Sequence, residues 1–340
     1  MSDASGGPEP GNAARANRRR RLIIAGSSLL LLVIAVVVSV IVASTRPAPP
    51  PAAAPTTTRS QTPSSAPSSP PPSLPPLAAG PMNILVMGSD SRGDPNDQRS
   101  DMIMLIHLPA DRQKVFGVSI MRDNWVTIPG HGESKINAGL SLGGPQLVVD
   151  TVSSLLNVHI DHYMMTDFDN FKILTDALGG IEVNVTLPFT ATFDTHHTFT
   201  PGINKLDGQA ALEFVRERYA FPDGDYQRVR DQQTFMRGIM NLLISAGKVR
   251  DPATAIALIA MVAPHLTVDP AFDSTTMAAM AYALRHTDPA AAVFFTMPNL
   301  GTGTSPDGQS IVIPDYPGIA EVGAALRADS MDAYAAAHRL

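Results

Sequence analysis

Residues 83–123 read NILVMGSDSRGDPNDQRSDMIMLIHLPADRQKVFGVSIMRD, and this stretch decides the fold. It contains three short apolar runs, residues 83–87, 102–106 and 115–120, and each run borders a group of charged residues. Short apolar runs bounded by turn residues are typical of buried β-strands. The stretch therefore predicts three neighbouring strands whose ends present polar side chains together.

The charged residues at these strand ends suggest a shared binding site. Asp90 follows the first run, Arg99 and Asp101 precede the second, and Arg122 and Asp123 follow the third. Carboxylate oxygens suit a magnesium ion, and the planar guanidinium group of arginine matches the oxygens of a phosphate. The pattern predicts a divalent metal beside a phosphate. The alternative is a set of solvated loop charges.

The first part of the chain has the pattern of a membrane anchor. Residues 1–21 are polar and end in four arginines, which predicts a disordered cytoplasmic tail. Residues 22–44 carry no charge, and at about 1.5 Å per residue a helix of this length crosses a hydrocarbon core of roughly 30 Å. A signal peptide cleaved near residues 43–45 is the alternative. The arginines before the apolar segment predict a single-pass protein of the cell membrane with its N-terminus in the cytoplasm.

A change in composition separates the predicted anchor from the predicted domain. Residues 45–81 consist mainly of Pro, Ala, Ser and Thr, which cannot form a core and favour an extended polyproline conformation. We expect them to form an extracytoplasmic spacer. Residues 82–340 are then predicted to form one extracytoplasmic domain.

The overall composition excludes some classes of function. The chain has no cysteine, so neither a disulfide nor a zinc–thiolate site can form. Its net charge of -6 does not favour nucleic acid as a partner.

Strand and helix patterns alternate through residues 82–340. This alternation predicts an α/β fold in which a mixed central sheet has helices on both faces, preceded by one transmembrane helix. Asp167 and Asp207 stand where N-caps of two helices are expected. Residues 186–206 show no clear period and are predicted to be a surface loop. A metal-ligand role for the adjacent residues His196 and His197 is the alternative.

Arginines cluster again in residues 216–232. Arg216 and Arg218 are two positions apart, and side chains at this spacing lie on the same side of the chain only where the segment is extended. We therefore expect the preceding helix to relax near Val215, so that both arginines face one site. On the following helix, Arg228 and Gln232 are four positions apart and share a face.

Several motifs, in this order along the chain, resemble those of the LytR-CpsA-Psr family. The resemblance covers roughly residues 82–246 and includes the layout of a single membrane helix with an outward domain. The motifs are Gly88-Ser89-Asp90-Ser91-Arg92, Arg99-Ser100-Asp101, Ser119-Ile120-Met121-Arg122-Asp123, Lys135-Ile136-Asn137, Gly143-Gly144-Pro145, Asp161-His162-Tyr163, Asp176-Ala177-Leu178-Gly179-Gly180, Leu206-Asp207-Gly208, Arg216-Glu217-Arg218 and Asp225-Tyr226-Gln227-Arg228-Val229-Arg230-Asp231-Gln232-Gln233.

The resemblance implies a magnesium-assisted phosphotransferase. Such proteins transfer a glycopolymer from a polyprenyl-pyrophosphate carrier to peptidoglycan and form a phosphodiester. It implies Asp90 and Asp101 as carboxylate ligands of Mg²⁺, with Mn²⁺ as the alternative ion. The residues implied for catalysis are Asp90, Asp101, Arg99 and Arg122. The residues implied for binding the pyrophosphate are Arg99, Arg122, Arg216, Arg218, Arg228 and Gln232. The alternative functions are a polyprenyl-pyrophosphate hydrolase and a non-catalytic envelope regulator that binds the lipid pyrophosphate.

Two residues depart from the family's pattern. Met121 stands where the family usually has proline before Arg-Asp, a change that we expect to be tolerated. Asp231 stands where many relatives have arginine, which reduces the positive charge next to the predicted pyrophosphate site.

Overall fold

The computed structural model describes residues 73–90 and 98–340, and all of them fall within one compact unit, Ser69–Leu340. The strands are β1 (Met82–Asp90), β2 (Arg99–Leu108), β3 (Phe116–Ile120), β4 (Trp125–Ile128), β5 (Gly132–Lys135), β6 (His162–Asp167), β7 (Ile181–Val185), β8 (Phe189–Thr190), β9 (Thr198–Phe199), β10 (Gly202–Leu206), β11 (Thr267–Val268), β12 (Val293–Thr296), β13 (Asn299–Thr304) and β14 (Ser310–Pro314). The α-helices are α1 (Gly139–Leu156), α2 (Phe168–Ala177), α3 (Gly208–Arg216), α4 (Asp225–Met240), α5 (Pro252–Val262), α6 (Ser274–Ala283), α7 (Tyr316–Arg327) and α8 (Met331–His338).

A six-stranded sheet with the order β11-β6-β1-β2-β3-β12 forms the centre of the domain. Strand β1 pairs antiparallel with β2 and parallel with β6, β2 pairs antiparallel with β3, and β3 pairs parallel with β12. The sheet is therefore mixed, and the predicted α/β class is confirmed. Because β1 and β3 run opposite to β2, the ends of β1 and β3 and the start of β2 lie at one edge of the sheet.

Alternate side chains of the central strands enter two apolar clusters. Leu85 and Leu105 belong to the cluster that includes residues of α1, α7 and α8. Ile84 and Met104 belong to the cluster that includes residues of α5 and α6. Since successive residues of a strand point to opposite faces, helices cover the sheet on both sides.

Local sequence signals fix several helix boundaries. The Asp167 carboxylate accepts a hydrogen bond from the Asn170 amide at 2.8 Å and caps α2. Asp207 caps α3 in the same way. The helix continues past Val215 to Arg216, and the chain becomes extended only at Glu217, with φ −64° and ψ 136°, so the helix ends close to the predicted position but Arg216 is still helical.

Residues 186–206 were expected to be a loop, but they contain β8, β9 and β10. Strands β8 and β9 are two residues long, which is too short to show a period in the sequence. Strand β10 pairs with β7. Phe189, Phe199 and Leu206 then enter a third apolar cluster together with residues of α3 and α4.

The predicted tail, residues 1–21, and the predicted transmembrane segment, residues 22–44, lie outside the described residues. Most of the predicted spacer lies outside them as well. At its end, Leu74 and Leu77 pack against the second apolar cluster, and the Gly80 carbonyl accepts a hydrogen bond from Arg112 at 2.8 Å. Across residues 73–90 and 98–340, no helix combines the length and the apolar character needed to cross a membrane.

Candidate active site

A β-bulge at the edge of the sheet sets the direction of Asp101. Gly88 pairs with Met102, but the next residue, Ser89, pairs with Ser100, so Asp101 is the extra residue on β2. A bulge interrupts the regular alternation of side chains and redirects the residue that it contains. The β2–β3 register, continued by two residues, places Asp101 opposite Arg122, and the Arg122 Nη1 atom lies 2.7 Å from the Asp101 Oδ1 atom.

Asp225 is the carboxylate on which three arginines converge. It begins α4, where the partial positive charge of the helix N-terminus favours an anion. Its carboxylate accepts from Arg122 at 3.1 Å, from Arg218 at 3.5 Å and from Arg228 at 2.9 Å. We call Arg122, Arg218, Arg228 and Asp225 the arginine cluster.

Burial and neighbouring charges act differently on two members of the cluster. Burial by itself would lower the pKa of Arg122, but the carboxylates of Asp101 and Asp225 outweigh it and raise the pKa. Arg228 is only 4% exposed, and burial lowers its pKa even though the Asp225 carboxylate acts to raise it. Within the described part of the chain, the Nε atom of Arg228 is buried and has no hydrogen-bond partner. The cluster thus holds a buried donor that has no acceptor among the described residues.

Asp90 and Arg99 also lie at this edge. They are direct partners across β1 and β2, and Asp90 is 8% exposed. Asp101 lies on β2 two residues after Arg99, the partner of Asp90 on β1. The carboxylates of Asp90 and Asp101 therefore belong to neighbouring strands. Among the described residues, no group of three His, Asp or Glu side chains could hold a metal ion by itself. Magnesium is usually held by one or two carboxylates together with substrate phosphates and water, so this pair fits such an ion.

Asp123 lies beside the cluster and contacts one of its members, Arg122. The Lys135 Nζ atom lies 3.2 Å from its Oδ1 atom, and the Arg122 Nε atom lies 3.8 Å from its Oδ2 atom. Two cations therefore hold this carboxylate, which favours a structural role for Asp123.

Two of the predicted pyrophosphate ligands make their contacts elsewhere. Arg216 lies 3.4 Å from the Asp194 carboxylate and stacks over the Phe168 ring, with its guanidinium carbon 4.2 Å from the ring centroid. Gln232 donates a hydrogen bond to the Val215 carbonyl at 3.2 Å and so ties α4 to the end of α3. A shared pyrophosphate contact for Arg216 and Gln232 stays a prediction.

Reasoning from the sequence did not select Asp225 as a site residue. It identified the helix that Asp225 begins and the arginines that Asp225 contacts, but not the carboxylate between them. An acidic residue in the first turn of a helix that also carries Arg228 is the local signal that was available. The distance of 103 residues between Arg122 and Asp225 hides the contact from any local pattern.

The comparison with known proteins identifies the family. The model of the LytR_cpsA_psr family matches residues 52–328. The chain belongs to the LytR-CpsA-Psr family. The resemblance carried by the sequence motifs is therefore confirmed.

Relatives from Enterococcus faecalis and Bacillus cereus carry the name polyisoprenyl-teichoic acid–peptidoglycan teichoic acid transferase TagU. The protein of Enterococcus faecalis is 34% identical over 206 residues, which are 59% of this chain and 66% of the relative. The protein of Bacillus cereus is 37% identical over 195 residues, 57% of this chain and 63% of the relative. The chain thus matches slightly less than two thirds of the length of either relative.

A solved structure of a third protein has the same fold. The crystal structure of TagV from B. subtilis aligns with a TM-score of 0.67 and 24% sequence identity, and the alignment covers 75% of this chain and 98% of TagV.

Proposed function

We propose that this LytR-CpsA-Psr protein transfers a glycopolymer from a polyprenyl-pyrophosphate lipid to peptidoglycan and forms a phosphodiester. The TagU relatives are named as transferases of this kind, with a polyisoprenyl-linked teichoic acid as donor and peptidoglycan as acceptor. For this chain the donor is a polyprenyl-pyrophosphate-linked glycan, of which teichoic acid is one class.

The observation that carries the proposal is the arginine cluster. Three guanidinium groups meet at the single carboxylate of Asp225, and the buried Nε atom of Arg228 adds a donor without a partner among the described residues. A pyrophosphate offers more oxygens and more negative charge than one carboxylate, so it competes with Asp225 for these donors. Arginine's fixed fork of N–H groups suits two adjacent phosphates.

Asp90 and Asp101 are the proposed ligands of Mg²⁺, or of Mn²⁺ in its place. When bound, the ion would neutralise negative charge on the phosphates. The protein's own part is positioning, because phosphoryl transfer depends more on charge neutralisation and alignment than on covalent help from side chains. Arg122 contacts both Asp101 and Asp225, so it connects the proposed metal ligands to the proposed pyrophosphate ligands.

The reaction exchanges one phosphorus–oxygen bond for another. A hydroxyl of the peptidoglycan glycan attacks the phosphorus that carries the glycopolymer, and the bond from that phosphorus to the bridging oxygen breaks. The hydroxyl proton is released, and the lipid leaves as polyprenyl phosphate. Guanidinium groups aimed at the phosphate oxygens stabilise the charge that develops during this exchange.

The proposed location follows from the lipid carrier. Residues 22–44 would anchor the chain in the cell membrane as a single-pass segment with the N-terminus in the cytoplasm. The Pro-rich residues 45–81 would connect this anchor to the domain outside, within reach of donor lipids and peptidoglycan.

The test is a transfer reaction with the full chain in detergent, a lipid-linked glycan, Mg²⁺ and peptidoglycan. Covalent attachment of the glycan to peptidoglycan supports the proposal. Release of phosphorylated glycan without attachment favours the alternative function, a polyprenyl-pyrophosphate hydrolase, and no turnover favours a binding protein. Arg228→Lys should lower transfer by a factor on the order of 10²–10³, because lysine cannot form the bidentate contact.

Arg230→Lys is the matched control. Arg230 lies on the same helix, but its side chain is 49% exposed and it contacts Asp223 and Gln227 instead of the arginine cluster. This variant should keep the wild-type rate. Equal losses in the two variants would show that the helix tolerates no lysine at either position, and the assignment of Arg228 would then fail.

A further inference from the structure

Two aromatic rings stand exposed beside the arginine cluster. Phe193, in the loop between β8 and β9, is 57% exposed, and Tyr219, which follows Arg218, is 60% exposed. Their ring centroids are 5.4 Å apart in an edge-to-face arrangement. Exposed aromatic rings in contact with each other form a small apolar surface that a ligand can cover. We call Phe193 and Tyr219 the aromatic platform.

A buried carboxylate holds the Tyr219 side of the platform. Glu217 is 4% exposed, and its Oε1 atom accepts the backbone amides of Arg218 at 2.8 Å, Tyr219 at 2.6 Å and Ala220 at 3.0 Å. Its other oxygen accepts the amide of Thr192, next to Phe193. Burial by itself would raise the pKa of Glu217, but these amides outweigh it and lower the pKa. The ionised carboxylate therefore binds both chain segments together.

A second buried carboxylate holds the Phe193 side. Glu213 accepts the amide of Thr195 at 3.0 Å and the amide of His197 at 3.0 Å, and it also accepts the Thr195 hydroxyl at 2.6 Å. Both glutamates belong to the segment that carries Arg216 and Arg218. The loop with Phe193 is thus fixed to the same segment as these arginines, and the platform is preorganised.

The platform continues directly from the arginine cluster. The Arg218 guanidinium carbon lies 4.5 Å from the centroid of the Tyr219 ring, while the same guanidinium contacts Asp225. On the other side, Asp194 and Thr195 line an open cleft of about 410 Å³ together with Phe168, Asp169, Lys172 and Arg216.

The chemistry of this surface matches a sugar. Aromatic rings stack against the C–H faces of sugar rings, and carboxylates, amides and guanidinium groups bind sugar hydroxyls. A membrane surface is a poorer match, because Asp169 and Asp194 offset the charges of Lys172 and Arg216, and anionic lipids favour clusters of uncompensated basic residues.

We propose that the aromatic platform binds the sugar unit joined directly to the pyrophosphate of the donor. This inference rests on the proposed function, since it takes Arg218 as a ligand of that pyrophosphate. A sugar joined to a phosphate at Arg218 through one oxygen atom lies next to Tyr219 and Phe193. The cleft beyond Asp194 then receives the following unit of the glycan.

The test compares two soluble probes by calorimetry with the full chain in detergent. One probe is geranyl pyrophosphate, and the other is the same molecule with N-acetylglucosamine on its terminal phosphate. In the wild type, the sugar should tighten binding by about tenfold. Phe193→Ala and Phe193→Leu should both lose most of this gain and leave the Kd for geranyl pyrophosphate unchanged. Phe193→Leu keeps an apolar side chain without the ring, so it separates stacking from burial.

Tyr316→Ala is the matched control, since Tyr316 is 52% exposed and lies on α7. It should retain the full gain from the sugar. If Phe193→Leu still binds the sugar-bearing probe more tightly than geranyl pyrophosphate, the Phe193 ring does not stack on the sugar and the proposal is overturned. If Phe193→Ala loses affinity only for peptidoglycan, the platform binds the acceptor, which also overturns the proposal. If geranyl pyrophosphate fails to bind the wild type, the proposed function fails as well. If geranyl pyrophosphate binds and the sugar does not tighten binding, only the proposal for the aromatic platform fails.

Discussion

Asp231→Asn should stabilise the domain at neutral and alkaline pH. Asp231 is 6% exposed, and burial raises its pKa from 3.8 to about 7. Gln227 donates to its Oδ1 atom at 2.9 Å, but the Oδ2 atom has no hydrogen-bond partner within the described residues. One pKa unit corresponds to about 1.36 kcal/mol, so ionising this group in the folded state costs on the order of 4 kcal/mol.

The sign of the pH dependence follows from the two pKa values. Below pH 3.8 the carboxyl is protonated in both states, so it has no effect on the pH dependence of unfolding. Between pH 3.8 and about 7 the unfolded chain releases the proton and the folded chain keeps it, so stability falls as pH rises. Above about pH 7 the loss is complete and stays constant.

Asparagine removes the ionisation but places an amide nitrogen where the unpartnered oxygen stands, at a cost of about 1 kcal/mol. The net gain above pH 7 is therefore about 3 kcal/mol, or roughly 5–10 °C in Tm for a domain of this size. We would measure thermal unfolding by circular dichroism at pH 5 and pH 8. The advantage of Asp231→Asn should be clearly larger at pH 8.

The control is Asp332→Asn, because Asp332 is 63% exposed in its ion pair with Lys114. Its Tm should differ little from that of the wild type at either pH. An advantage of Asp231→Asn that has the same size at both pH values would refute the raised pKa as its cause.

Three further predictions concern the metal ligands, the start of the domain and the turn after α3. Asp101→Ala should remove the dependence of transfer on Mg²⁺ while the free energy of unfolding changes by less than about 1 kcal/mol, because Arg122 loses its contact with Asp101 but keeps its ion pair with Asp225; an unchanged Mg²⁺ titration would contradict it. A chain that begins at Met82 lacks the packing of Leu74 and Leu77, so its free energy of unfolding should be about 1–3 kcal/mol lower than that of a chain that begins at residue 69, with a lower Tm; equal Tm values would exclude this contribution. Both oxygens of Glu217 accept hydrogen bonds from backbone amides, whereas glutamine has only one acceptor oxygen, so Glu217→Gln should lower the free energy of unfolding in denaturant by about 1–3 kcal/mol. An unchanged denaturation midpoint would show that the amides find other partners.

Strands β1, β2 and β3 of the central sheet were predictable because they coincide with short apolar runs of the sequence. Strands β1, β2 and β3 each contain a run of aliphatic residues between charged ends, and such runs have few alternatives to burial. The caps Asp167 and Asp207 were predictable for a similar reason, since each stands directly before a helical pattern. Strands β8 and β9 were missed because two residues cannot show a period, and their pairing depends on the phenylalanines that they bury.

The site was predictable in its components but not in its connections. The motifs identified Arg122, Arg218 and Arg228, and all three meet in the structure. Asp225 and the separate position of Arg216 could not be read from spacing. Arg216 is the last residue of α3 whereas Arg218 follows the extended Glu217, so the alternation that would bring both arginines to one side does not apply.

The most direct measurement of the proposed reaction follows the oxygen atoms of the transferred phosphate. The full chain would react with lipid-linked glycan, Mg²⁺ and peptidoglycan in water enriched in the heavy oxygen isotope, followed by digestion to muropeptides and mass spectrometry. Transfer predicts a glycan–muropeptide phosphodiester that contains no heavy oxygen, because the bridging oxygen comes from the peptidoglycan hydroxyl. Free phosphorylated glycan that carries one heavy oxygen, with no linked product, would contradict transfer and show that water is the acceptor.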